Sequence, residues 1–141
     1  MTLAPWAALA LVFVTASSAV AGHGASGPSV PLVAMDHLAR LVERGEAVHL
    51  VDLRTPAEFA AGHIPGAVSL PLASFEERVR EIPRTRRVLL YCHCPLEEVA
   101  AVYAVLFRLG FRNHAVLAEG FAGWSARGHP ISRPSVATPG G

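Results

Sequence analysis

Apolar positions along the chain fall into short near-continuous runs that alternate with stretches of helical spacing. Leu38, Leu41 and Val42 share one face of a helix expected over 37–44, capped by Asp36 and ended by Gly45. Val48-His49-Leu50-Val51-Asp52 then reads as a strand. Thr55, Pro56 and Glu58 stand at the N-cap, first and third positions of a capping box, opening a short helix that stops at Gly62. A turn at His63-Ile64-Pro65-Gly66 leads to a short strand over 67–70, and Ser74 is expected to cap a helix reaching about Glu81. The most apolar strand is 87–91. The longest helix, 95–109, carries Val99, Val102 or Tyr103, Leu106 and Leu109 at helical spacing and ends at Gly110. A last strand over 115–117 and a final helix over 120–127 complete the pattern.

Strands that alternate with helices and are apolar on both faces imply a parallel sheet covered by helices on both sides. Ligands of such sheets bind beyond the carboxyl ends of the strands. Asp52 and Cys92 both end strands, so both are placed at that edge.

The ends of the chain read differently. Residues 5–14 are almost wholly apolar, and Ala19-Val20-Ala21 gives a small-x-small cleavage pattern. Residues 1–21 are therefore expected to be a signal peptide, its n-region weak because no Lys or Arg precedes the run. The run is too short for a comfortable membrane span, so no stable span is expected once it is cleaved. Export to the periplasm or the exterior follows from this, with an uncleaved anchor as the competing reading. Residues 22–31, rich in Gly, Ala and Ser, read as a flexible linker. Residues 32–131 read as one domain, and 132–141, with Pro134, Pro139 and a Gly-Gly end, as a disordered tail. Of the 141 residues, 12 are Lys or Arg and 11 are Asp or Glu, for a net charge of +1. That balance argues against nucleic acid as a partner. The cluster Arg84, Arg86 and Arg87 reads as a solvated loop.

The candidate chemistry lies at Cys92. A thiol between a strand end and a helix start meets unpaired backbone N–H groups and the positive end of the helix dipole. Both favour the thiolate, which is the nucleophilic form. His93 could add positive charge beside it. Cys94 could act as a resolving thiol toward Cys92, as a second thiolate ligand to a soft ion such as Cu(I), or as a plain loop residue. Two cysteines are too few for a disulfide scaffold. A bond across one intervening residue would be strained and readily reduced. His63 reads as a structural turn residue, and Phe121 and Trp124 as core.

With these residues placed, the chain resembles the rhodanese-like, single-domain sulfurtransferases from about Val33 to Ile131. Val51-Asp52-Leu53-Arg54, Glu58-Phe59 and Gly62-His63-Ile64-Pro65-Gly66-Ala67 carry its first signature. Leu90-Tyr91-Cys92, Leu109-Gly110-Phe111, and Leu117 with Gly120 and Trp124 carry the rest. The resemblance implies an α/β three-layer sandwich with a five-stranded parallel sheet. It also implies a Cys92 persulfide that moves sulfane sulfur from a small donor, thiosulfate or a persulfide, to a thiol or cyanide acceptor. No cofactor or resident metal is implied, and a monomer is expected. In the family the catalytic loop continues with two arginines around a small residue and Gly. Here His93, Cys94, Pro95, Leu96, Glu97 and Glu98 stand instead, similar to the Cys-x-Cys-Pro-x-Glu loops of some rhodanese-like proteins. Pro95 removes a backbone donor, and Glu97 and Glu98 bring negative charge toward an arriving dianion. Cys94 as N-cap, Pro95 as first and Glu97 as third helical residue would start the helix. Asp52 is expected to orient the loop through its backbone N–H groups. Arg54 is expected to pair with Glu58 and to replace part of the missing loop charge. The same loop lacks the arginine a cysteine phosphatase needs for its phosphate.

Overall fold

The computed structural model describes residues 29–134. The expected signal peptide, most of the linker and the chain beyond 134 lie outside the described residues. Five strands form one parallel sheet: β1 (Leu32–Val33), β2 (Val48–Asp52), β3 (Val68–Ser69), β4 (Arg87–Tyr91) and β5 (His114–Leu117), in the order β1-β5-β4-β2-β3. The helices are α1 (Met35–Glu43), α2 (Pro56–Ala61), α3 (Phe75–Arg78), α4 (Leu96–Arg108) and α5 (Gly120–Ala126).

Side-chain alternation divides the strands between two cores. Val51, Leu53, Val88, Leu90 and Val116 face one side and pack under Phe75 of α3 and Val99, Val102 and Leu106 of α4. Leu50, Leu89, Tyr91 and Leu117 face the other, under Met35, Leu38 and Ala39 of α1 and Trp124 of α5. The three-layer α/β architecture expected from the alternation is the observed one. Burying Trp124, Tyr91, Met35, Leu89 and Leu90 almost completely contributes on the order of 2 kcal/mol per side chain.

Several local features differ from the pattern read in the sequence. Helix α1 starts at Met35 with Ala34 as N-cap, and Asp36 sits in its first turn rather than capping it. Met35 is fully buried, so packing draws the helix start forward. The segment after Pro71 is not one helix. A 3-10 turn (Leu72–Ser74), α3 and a second 3-10 turn (Val79–Glu81) follow one another. Ser74 does not cap, because its hydroxyl donates to the Pro71 carbonyl at 3.3 Å. Strand β1 has no expectation in the pattern: two residues, one of them exposed, leave no period to read. The end of the expected flexible linker is instead fixed, with the Val116 N–H donating to Pro31 O at 2.9 Å and Val30 packed on the first core. At the other end Ser132 exchanges backbone hydrogen bonds with His63, and Arg133 Nε donates to Ala61 O at 2.9 Å. The expected tail is thus anchored at its first two residues.

Candidate active site

Cys92 is the first residue past β4. Continuing the alternation of Val88 and Leu90 puts its side chain on the α4 side of the sheet, where it and Cys94 pack at the margin of the first core. Both cysteines are half-buried and His93 between them is exposed. Leu53 N–H donates to Tyr91 O at 2.9 Å, which ties the end of β4 to the exit of β2.

Cys92 and Cys94 are joined by a disulfide, their Cα atoms 5.3 Å apart. The loop is therefore described in its oxidised state. With the Cys94 side chain bound to Cys92, it cannot cap α4. Pro95, with φ −55° and ψ 148°, takes the N-cap position without a side-chain hydrogen bond. This corrects the expectation that Cys94 caps and Pro95 begins the helix. Leu96 and Glu97 become the first two helical residues, and their N–H groups have no partner within the helix. They place the positive end of the helix dipole beside the cysteine loop.

The expected role of Asp52 is also corrected. Asp52 pairs in register with Tyr91, not with Cys92, so its carboxylate lies on the face opposite the thiol. Instead of holding loop amides, it accepts from Arg54 N at 2.9 Å, Arg54 Nε at 3.0 Å and Arg54 Nη2 at 2.6 Å. Arg54 Nη2 also donates to Gly62 O at 2.7 Å, and its guanidinium stacks 3.9 Å from the Phe121 ring centre. Burial would lower the Arg54 pKa, and Asp52 overcomes that and raises it. Arg54 lines the cleft beside Cys92, but its charge is neutralised by a fully buried carboxylate. It neither pairs with Glu58 nor replaces the missing loop charge. The same carboxylate, second to burial itself, pushes the Tyr91 hydroxyl well above its ordinary pKa, while that oxygen accepts the Ile64 N–H at 3.2 Å.

Glu58 completes the capping box with Thr55, its Oε2 accepting from Thr55 N at 3.0 Å and from Thr55 Oγ1 at 2.7 Å. Those bonds, with smaller contributions from Arg54 and His93, hold its pKa below the usual carboxylate value. Its charge reaches the loop as well as its own helix.

Two clefts flank the loop and share Cys92, His93 and Cys94. One, of about 320 Å³, is bounded by Leu53, Arg54, Thr55, Glu58 and Leu72. The other, of about 220 Å³, is bounded by Leu96, Val99, Leu117, Glu119 and Gly120. Glu97 borders neither, so the carboxylate that shares the wider cleft with the two cysteines is Glu58. Glu119 is engaged by Arg127, Nη2 to Oε1 at 2.9 Å. A larger hollow of about 560 Å³ lies at the opposite edge of the sheet, among Arg44, Arg87 and Arg112, and offers no nucleophile. Among the described residues no group of three or more His, Cys, Asp or Glu side chains is placed to hold a metal ion. His63 is structural as expected, its Nδ1 2.9 Å from Phe59 O and its ring stacked on Phe59 at 3.7 Å.

One site residue stands out only in three dimensions. Gly120 opens α5 at φ +57°, and a Cβ there would overlap the Cys92 carbonyl oxygen. Its place in the sequence pattern showed a glycine, but not that the glycine lets α5 approach the loop.

Residues 34–127 match the sequence profile of the rhodanese-like domain. A sulfurtransferase of Allochromatium vinosum is 37% identical over 99 residues, 70% of this chain and 92% of that protein. An HTH-type transcriptional regulator, Rv0324, of Mycobacterium tuberculosis is 33% identical over 116 residues, which are 82% of this chain but only 51% of the regulator. The crystal structure of the Alr3790 protein from an Anabaena species superposes with a TM-score of 0.66 at 26% identity, covering 74% of this chain and 84% of that one.

Proposed function

Since the chain belongs to the rhodanese-like family, we propose that it is a sulfurtransferase whose Cys92 carries sulfane sulfur from a persulfide donor to a thiol acceptor. The observation that carries the reading is the position of Cys92, beyond the end of a central strand and against the N-terminus of α4. Its starting form is the dithiol, produced when a reductant opens the Cys92–Cys94 bond. The Cys92 thiolate attacks the outer sulfur of a persulfide R–S–SH, the S–S bond breaks, and R–S⁻ leaves. An acceptor thiolate then takes the outer sulfur and returns Cys92 as thiolate. This is two-step covalent catalysis. Loop amides and the helix dipole stabilise the anionic sulfur in both steps.

The electrostatics favour a persulfide over thiosulfate. Arg54 is neutralised by Asp52, Glu119 is paired with Arg127, and Glu58 faces the wider cleft with its charge intact. Thiosulfate brings both of its negative charges to the reacting sulfur and is repelled there by Glu58, whereas a persulfide brings at most one. The apolar N-terminal run and the Ala19-Val20-Ala21 pattern support export of the domain. The test is steady-state sulfur transfer with glutathione persulfide and with thiosulfate. The reading expects a higher kcat/KM with the persulfide and no activity in Cys92→Ser with either donor. Activity retained in Cys92→Ser defeats it.

A further inference from the structure

We propose that Cys94 is a resolving thiol that reduces the sulfur carried on Cys92 to sulfide, giving the domain a sulfane-sulfur reductase activity; this rests on the sulfur-carrier reading above. The structure contains the product of that reaction. Cys92 and Cys94 are bonded to each other in the loop between β4 and α4, with the start of α5 against the Cys92 carbonyl. Both side chains lie on one side of the sheet and pack at the edge of the same core, so Cys94 is held toward its partner rather than out in solvent. Pro95 at the N-cap lets the helix begin without the Cys94 side chain, which leaves that sulfur available to Cys92.

In the resolving step the Cys94 thiolate attacks the inner sulfur of the Cys92 persulfide. The Cys92–Cys94 bond forms, the bond between inner and outer sulfur breaks, and the outer sulfur leaves as HS⁻. The two cysteines lose two electrons and the sulfane sulfur gains them, so no other oxidant takes part. A dithiol reductant restores the pair and becomes a disulfide itself. The clefts on either side leave the loop open to a donor and to that reductant. Because the attack is intramolecular, it needs no acceptor thiol and does not depend on protein concentration.

The experiment uses the reduced full-length protein, free of oxygen. It is mixed with limiting glutathione persulfide that has been freed of glutathione disulfide, sulfide is measured from the moment of mixing, and the protein is then desalted for mass. Sulfide and intact mass are followed with no added thiol. The proposal expects wild type to release sulfide stoichiometrically with loading and to end as the intramolecular disulfide. Cys94→Ser and Cys94→Ala are expected to keep the one-sulfur adduct on Cys92 and to release sulfide only when thiol is added. Wild type that retains its adduct as long as the Cys94 variants overturns the resolving role and leaves the carrier reading standing. Loading of neither wild type nor the Cys94 variants overturns the carrier reading and the resolving role with it. Circular dichroism of both Cys94 variants identifies a variant that has merely failed to fold, and the other then decides.

Discussion

Gly120 presents its Cα to the backbone carbonyl of Cys92, with no room for a side chain between them. The contact joins α5, on one face of the sheet, to the loop on the other side of β4. It requires both a left-handed backbone and the absence of a Cβ. Gly120→Ala is therefore expected to cost about 1–2 kcal/mol in backbone conformation alone and to displace the loop. A displacement near 1 Å at a reacting group lowers rate by up to about 100-fold. Sulfur loading measured per folded molecule should fall far more than the melting temperature does.

The pair Asp52 and Arg54 is buried at 0% and 6% exposure, so each charge depends on the other. Removing one partner of such a pair costs about 3–5 kcal/mol. Asp52→Asn and Arg54→Met should each lower the unfolding free energy, measured by urea denaturation, by about that amount. Because neither side chain holds the loop amides, the folded fraction of each variant should load sulfur at close to the wild-type rate. Loss of loading in a fully folded variant would restore the direct role expected from the sequence.

Glu58→Gln preserves the capping box, since glutamine serves as well at that position, and removes the charge facing the wider cleft. A unit charge a few ångströms from an anion in water contributes about 1 kcal/mol, or about fivefold in rate. Thiosulfate kcat/KM should rise by about that factor at low salt, and the gain should shrink as salt screens the charge. An unchanged value would count against electrostatic exclusion of thiosulfate.

Acid should weaken the fold through His114 and His49. Burial lowers both pKa values below the ordinary 6.5, with Arg112 adding to the effect at His114 and Arg86 at His49. His114 is buried, stacked on Tyr103 with Nε2 3.1 Å from Tyr103 O, and its Nδ1 has no partner among the described residues. The folded state therefore disfavours protonation of both rings. Below pH 6.5 the unfolded chain takes up protons before the folded one does, so stability is present above that pH and falls as pH drops through the depressed values. Urea midpoints measured from about pH 7 to about pH 5 should decline, and His114→Gln should flatten part of that slope.

Much of the fold was legible because its signals are local. The capping box at Thr55 and Glu58, the glycine after α4 and the apolar runs of β2 and β4 each announce an element without reference to the rest of the chain. Strand β1 was not legible, since two residues carry no period and their role comes from pairing with β5. At the site, the position of Cys92 at the carboxyl edge of the sheet followed from its place at a strand end. The partner of Asp52 did not, although the same alternation that assigns Cys92 to the α4 face assigns Asp52 to the other. Arg54, two residues on, shares that face, and the ion pair follows from strand parity once the register is known. The order of Cys94, Pro95 and Leu96 at the helix start could not be read from capping preference, because the Cys94 side chain is bonded elsewhere. Gly120 needed the third dimension, as its neighbour in space is 28 positions away.

The most direct test of Cys92 as the sulfur carrier is intact-mass and peptide mapping of two single-cysteine proteins, Cys94→Ser and Cys92→Ser, after exposure to glutathione persulfide. A one-sulfur adduct located on Cys92 in the first and absent from the second is the predicted result. An adduct on Cys94 in the second, with none on Cys92 in the first, would contradict it.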